Sequence, residues 1–371
     1  MPIRLQKLLI HFPSHPPSLP VSIPEQDTSI MSFYEVTMLP FLAALVDHLL
    51  KPLLRHARPY LQSLQQFSTY HDATPQKQAV TSKMPRSLQG MPANSWDCHM
   101  HVTSPRYPVA AGAAYKPSKH LLQQAMKFEE TIGIWNIVLV QPSIYGNDNS
   151  CLLDALKSIG PQHGRGVVGI DPDTISLDKL KEWHRIGVRG VRLNLKSNNT
   201  RFTEESLQAM LQSYANVIKP LDWVLELFIG MEDIPMLERV SKDLGVRLCI
   251  AHFGAPKLPA LEKRTVPFDP YGLDGFQSLV NMLRAGNTWL KISGAYRFDE
   301  DPKMQGVESI ARELLKVAGD RLVFASDWPH TRFEGLDVKP FVARCLEWTK
   351  EAGLTKEVFT LNAQKLWDVT E

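Results

Sequence analysis

The feature that most limits what this chain can fold into is a regular alternation that begins at Ser95. Eight short apolar runs read as strands, near residues 95–102, 135–143, 166–172, 188–195, 222–230, 247–254, 288–295 and 321–328. Between them lie segments with apolar residues at helical spacing, among them Leu121 to Thr131, Glu204 to Ile218, Ile234 to Leu244, Val307 to Val317 and Val338 to Trp348. Eight β-α units over roughly 270 residues are what a closed (β/α)8 TIM barrel requires. An open doubly wound sheet usually has fewer strands and a glycine-rich phosphate turn after the first, and no such turn follows here. The 371 residues therefore read as a barrel over 94–371 preceded by an extension over 1–85.

The extension differs from the rest. Residues His11 to Pro24 are rich in proline and serine without an apolar period, and are expected to be unstructured. From Ser32 to Phe67 the pattern turns helical, broken at Pro40, Pro52 and Pro59. Its apolar run ends at Asp47, well short of the roughly 20 residues that span a bilayer. No transmembrane segment is expected. A basic start, with Arg4 and Lys7 before the first acid at Glu25, leaves a mitochondrial presequence open beside a cytoplasmic location. The chemistry is expected to need none of this segment.

With 44% hydrophobic and 22% charged residues the chain can bury a sizeable core, and a net charge of +2 without a basic run argues against a nucleic-acid partner. A small-molecule partner is expected. Cys98, Cys151, Cys249 and Cys345 are too scattered to seed a disulfide or thiolate site and read as buried free thiols.

If strand side chains simply alternate, Trp96 to Val102 puts His99 and His101 on one face with Asp97 beneath them, and Cys98, Met100 and Val102 on the other. Two imidazoles on one face can bind a metal or polarise a carbonyl oxygen, and either task needs groups from other strands. In a barrel those groups come from the C-terminal strand ends and the loops after them. Here these positions offer Tyr115, Gln141-Pro142-Ser143, Arg192, Lys196, His252, Arg297 and Asp327. Arg189, three positions before Arg192, is expected to brace a helix outside the barrel instead.

Asp97-Cys98-His99-Met100-His101-Val102, Val140-Gln141-Pro142-Ser143, Gly187-Val188-Arg189-Gly190-Val191-Arg192, Ala251-His252-Phe253-Gly254 and Ser326-Asp327-Trp328-Pro329-His330 together resemble the amidohydrolase-related 2-pyrone-4,6-dicarboxylate lactonases over residues 94 to about 367. The resemblance implies a (β/α)8 barrel and hydrolytic opening of a carboxylated lactone. It further implies that His99, His101 and His252 polarise the carbonyl, that Asp327 activates water, and that Tyr115, Ser143, Arg192 and Arg297 hold the substrate's carboxylates. Where that family tends to carry a second arginine, this chain has Lys196-Ser197-Asn198, and strand five has no tyrosine. Lys196 can supply the missing charge but not a bidentate fork, so a related lactone or cyclic anhydride is also compatible.

The resemblance implies no cofactor: metal-dependent relatives in the superfamily add a carboxylate or histidine to the pair, often from strand four or five, and here neither strand carries a histidine. A zinc site from His99, His101 and Asp327, with His252 or Glu226 nearby, stays open. Two rival readings follow: a zinc-dependent decarboxylase or amidohydrolase on the same barrel, and a non-catalytic barrel that binds an organic acid.

Overall fold

The structure is a computed structural model that describes residues 88–369 apart from 114, 117, 197–201 and 266. The extension over 1–85, with its expected proline-broken helix, lies outside the described residues.

Eight strands are present: β1 (Trp96–Met100), β2 (Asn136–Val140), β3 (Gly164–Val168), β4 (Val188–Asn194), β5 (Val224–Phe228), β6 (Arg247–Ile250), β7 (Thr288–Ile292) and β8 (Leu322–Phe324). They pair in sequence order, every pair parallel. A helix follows each: α1 (Leu122–Ile132), α2 (Ser150–Ile159), α3 (Leu177–Arg185), α4 (Glu204–Ile218), α5 (Ile234–Val240), α6 (Phe276–Arg284), α7 (Gln305–Ala318) and α8 (Lys339–Glu351), with a short α9 (Asn362–Leu366) after them. This is a (β/α)8 TIM barrel. At the seam, Met100 bridges to Trp328, His101 N donates to Trp328 O at 2.9 Å and Asp327 N donates to His99 O at 3.0 Å.

Each helix has local reasons to form. In α4, Thr203 Oγ1 accepts from Ser206 N while Ser206 Oγ accepts from Thr203 N, which satisfies two amides that the first turn leaves unpaired. Its buried residues Leu207, Leu211, Ala215 and Ile218 form one stripe against the sheet. The expected helix Ile234 to Leu244 ends earlier, at Val240, and the chain then turns into β6 through Gly245 at a left-handed φ of 67°.

Two apolar layers result. Outside the sheet, side chains such as Ile137, Leu139, Val191 and Leu225 meet the helices. Inside it, Trp96, Cys98, Val138, Val167, Val224, Cys249 and Val323 fill the barrel and close against Leu366 and Trp367. Arg165 fastens that floor by donating to the carbonyls of Trp367 and Asp368, each at 3.0 Å. Arg189 pairs with Asp368 at 3.0 Å and donates to His184 O at the end of α3, so it braces a helix as its position suggested.

Simple alternation fails in β1. Asp97 is level with Ile137 but Met100 with Leu139, so three steps on β1 face two on β2, a β-bulge. Ile137, Leu139 and Met100 all belong to the outer layer, whereas Cys98 packs inside. Asp97 accordingly lies not beneath the histidines but beside Glu129 of α1, its Oδ1 accepting from His99 N and Ser326 N, both at 3.0 Å. Burial raises the Asp97 carboxyl to about 6, and burial next to Asp97 raises Glu129 well above the ordinary range.

Candidate active site

The bulge sends His99 and His101 to the C-terminal mouth, where their Nε2 atoms lie 3.3 Å apart. A cavity of about 670 Å³ opens above them, lined by His101, Tyr115, Ser143, Arg192, Lys196, His252, Arg297 and Asp327 among others. His99 lies buried at its floor, its ring centroid 4.7 Å from that of His252. All nine residues nominated from sequence therefore converge on one place.

Several lie just past the strand ends rather than within strands. His252 and Asp327 take left-handed φ values of 53° and 64°, as do their neighbours Phe253, Ala255, His330 and Arg332. Residues with a β-carbon hold that conformation only where the surroundings enforce it. Gly294 shows the crowding: a β-carbon there would sit 2.8 Å from His252 Nδ1 and 3.2 Å from Asp327 Oδ2.

Asp327 is the hub. Its Oδ2 accepts from Tyr296 OH at 2.8 Å and Arg297 Nε at 2.5 Å. Its Oδ1 accepts no hydrogen bond, although Nε2 of His99, His101 and His252 surround it at 3.9, 4.0 and 3.9 Å. Burial works against ionising Asp327, but its neighbours, His252 and Arg297 foremost, hold the carboxyl well below its ordinary range.

Burial lowers all three histidines, His101 to about 4, His252 to about 3 and His99 well below its ordinary value, so the rings are neutral at neutral pH. Neutral rings carry one proton each, and their partners assign it. His101 Nδ1 lies 2.8 Å from Val140 O, which can only accept, so its Nε2 is bare. His99 Nδ1 is 3.2 Å from Lys291 Nζ, which can only donate. Glu226 Oε1 is equally near that nitrogen, at 3.2 Å, yet accepts no hydrogen bond. With Lys291 donating, His99 carries its proton on Nε2, facing His101; with Glu226 accepting instead, it carries it on Nδ1.

Sequence reasoning placed Glu226 only beside a zinc site and missed most of the remaining support. Lys291 and Glu226 form a fully buried ion pair beneath His99, and Tyr296, Ser293 and Arg332 also belong to the site. The signal for Lys291 was a lone charge inside the apolar run Thr288-Trp289-Leu290-Lys291-Ile292. Arg192 donates to Gln141 O at 2.6 Å but leaves a buried Nε without an acceptor. Ligand atoms of His99, His101 and Asp327 lie within 4.8 Å of one another, a nitrogen and oxygen donor set that fits a divalent cation.

Comparison with known proteins identifies the family. Residues 96–369 match the model of the amidohydrolase family. The chain is 33% identical over 254 residues to a 4-sulfomuconolactone hydrolase of Hydrogenophaga intermedia, covering 67% of this chain and 78% of that one. It is 28% identical over 251 residues to a 2-pyrone-4,6-dicarboxylate hydrolase of Comamonas testosteroni, covering 65% and 78%. A solved structure of a candidate 2-pyrone-4,6-dicarboxylic acid hydrolase from Pseudomonas putida superposes with a TM-score of 0.63 at 30% identity, over 75% of this chain and 99% of that one. The chain belongs to the amidohydrolase family.

Proposed function

We propose that this protein is a hydrolase that opens a small anionic lactone, with Asp327 as general base. The carrying observation is Asp327 Oδ1, a buried carboxylate oxygen that accepts no hydrogen bond at the floor of a cavity rich in cationic side chains. Ionised, it can only accept. A water held there gives it a proton while attacking the lactone carbonyl, and that proton passes on to the departing ring oxygen. Arg297 and Tyr296 fix the other oxygen, which keeps the base charged and aimed.

The electrophilic role falls first to His252. The Ser293 hydroxyl lies 2.8 Å from its Nδ1 and can donate to it; in that tautomer the neutral ring carries its proton on Nε2, directed to the same gap. An N–H aimed at the developing oxyanion is worth a few kcal/mol. His101, bare at Nε2, and His99 beside it form the polar floor. Tyr115, Ser143, Arg192 and Lys196 hold the anionic groups, and the unpartnered Arg192 Nε supports that assignment. The relatives named for a dicarboxylate and for a sulfonated lactone suit the same charge.

The donor set His99, His101 and Asp327 supports a second form of this reading. A zinc ion held by these residues would supply Lewis-acid polarisation of the carbonyl. Lys291 donating to His99 Nδ1 suits the metal-free form, and Glu226 accepting from the same nitrogen suits the zinc form, in which His99 Nε2 would ligate.

The test follows loss of ultraviolet absorbance of 2-pyrone-4,6-dicarboxylate, and separately turnover of 4-sulfomuconolactone, by purified protein of measured metal content. Turnover that survives chelation supports the metal-free reaction. Turnover that needs zinc makes His99, His101 and Asp327 ligands. Saturable binding of both lactones without turnover would replace the hydrolase by an organic-acid-binding barrel.

A further inference from the structure

We infer that Arg332, seated on Tyr115, is a second anion-binding point that selects ligands with two anionic groups over ligands with one. This deepens the lactone-hydrolase reading and rests on it for the identity of the ligand.

Five cationic side chains line the cavity, Arg192, Lys196, Lys257, Arg297 and Arg332, and they differ in what already occupies them. Lys257 pairs with Glu232 at 2.7 Å and Arg297 with Asp327 at 2.5 Å. Lys196 donates to Ala255 O at 3.2 Å and Arg192 to Gln141 O at 2.6 Å. The Arg332 guanidinium has no hydrogen-bond or ion-pair partner among the described residues, and its Cζ lies 5.0 Å from the Tyr115 ring centroid. A guanidinium stacked on an aromatic face keeps its in-plane donors available for a bidentate acceptor.

The backbone adds a second argument. Asp327, His330 and Arg332 share one tight segment with left-handed φ values of 64°, 60° and 73°. His330 N closes on Asp327 O at 2.9 Å and Phe333 N on His330 O at 2.8 Å. The His330 ring packs against Phe128 and Tyr296, which locks the turn. An unfavourable conformation repeated at one strand end is kept where it positions something. Here it fixes an unpartnered cation at the rim relative to the carboxylate of Asp327 at the floor. Arg192, with its buried Nε unpartnered, reaches the cavity from β4 and Arg332 from the loop after β8, so the two cations come from separate segments and suit two separated charges on one small ligand.

The experiment titrates the full-length protein with pyridine-2,4-dicarboxylate and with pyridine-2-carboxylate, which offer no bond to hydrolyse, in wild type, Arg332→Met and Arg332→Lys. Wild type should favour the dianion. Arg332→Met should weaken dianion binding roughly tenfold more than monoanion binding, the scale of a lost charged hydrogen-bond pair. Arg332→Lys, which keeps charge but not the planar fork, should fall between them, and it stands in should the methionine variant fail to fold. In turnover of 2-pyrone-4,6-dicarboxylate the loss should appear in KM rather than kcat. Comparing that loss for 4-sulfomuconolactone tells whether the seat prefers carboxylate or sulfonate. An equal loss for both pyridine ligands, or an intact preference in Arg332→Met, overturns the proposal. A preference that collapses in Arg332→Met while neither lactone is turned over keeps the anion seat and removes the hydrolase.

Discussion

Below Lys291 the barrel interior is apolar, with Trp96, Cys98, Val138, Val167 and Val323 packed onto Trp367. Above it, the same strands end in His99, His101, His252 and Asp327. Lys291 marks the boundary: its ammonium lies 5.2 Å from the Trp367 ring centroid on one side and 3.2 Å from His99 Nδ1 on the other, paired with Glu226. Of the ten described residues other than glycine with positive φ, seven lie at the upper end: Met304 ahead of α7, and His252, Phe253, Ala255, Asp327, His330 and Arg332 around the site. The lower end concentrates packing, and the upper end concentrates desolvated polar groups and unfavourable backbone. A site of that kind persists because a rigid floor supports it.

Four measurements break or sharpen that contrast. Asp327→Asn should lower kcat by about 10³-fold, within the range for loss of a general base, while pyridine-2,4-dicarboxylate still binds. Near-normal turnover would remove the chemistry from the upper end. At the boundary, Lys291→Met leaves Glu226 buried without its partner and should cost about 3–5 kcal/mol in urea unfolding. The double variant Lys291→Met with Glu226→Leu should recover most of that loss, and a single variant as stable as wild type would show that the boundary bears no weight. Val167→Ala in the lower layer should cost about 2 kcal/mol yet leave kcat alone. A large change in kcat there would mean that the two ends are not separable.

The smallest effect is on pH. Burial holds His101, His252 and His330 at about 4, 3 and 4, below their ordinary 6.5, so the unfolded chain binds more protons between pH 4 and 6.5. Stability should therefore rise with pH across that window. Asp97, raised from 3.8 to about 6, acts in the opposite sense over part of it and flattens the rise. Calorimetric Tm values that fall between pH 4 and 6.5 would contradict the burial of the upper histidines.

Much of the fold was legible because parallel strands covered on both faces read as apolar runs. The expected last strand ran to Trp328 although β8 ends at Phe324: pairing resumes only as the isolated Met100–Trp328 bridge, on the far side of the left-handed Asp327. The third began two residues late, because Gly164 and Arg165 lack an apolar signature. The histidine pair was legible, but the bulge that aims it was not, since an extra residue in a ladder leaves no periodic trace. Lys291 and Glu226 were illegible as a pair because their contact joins β7 to β5 across the barrel interior. Arg332 escaped notice because its importance lies in having no partner, which only the surrounding structure reveals.

The seam between the first and last strands has a consequence for how activity first arises. Asp97 Oδ1 holds the amide of Ser326, 229 positions later, and the neighbouring amides of His101 and Asp327 bind across the same seam. During synthesis the residues of β1 leave the ribosome long before their partners exist, and such distant pairing is slow to form. The imidazoles and the carboxylate meet only when the last strand docks. Recovery of catalysis after dilution from denaturant would thus time the closing of the ring itself, whereas helix content would return earlier.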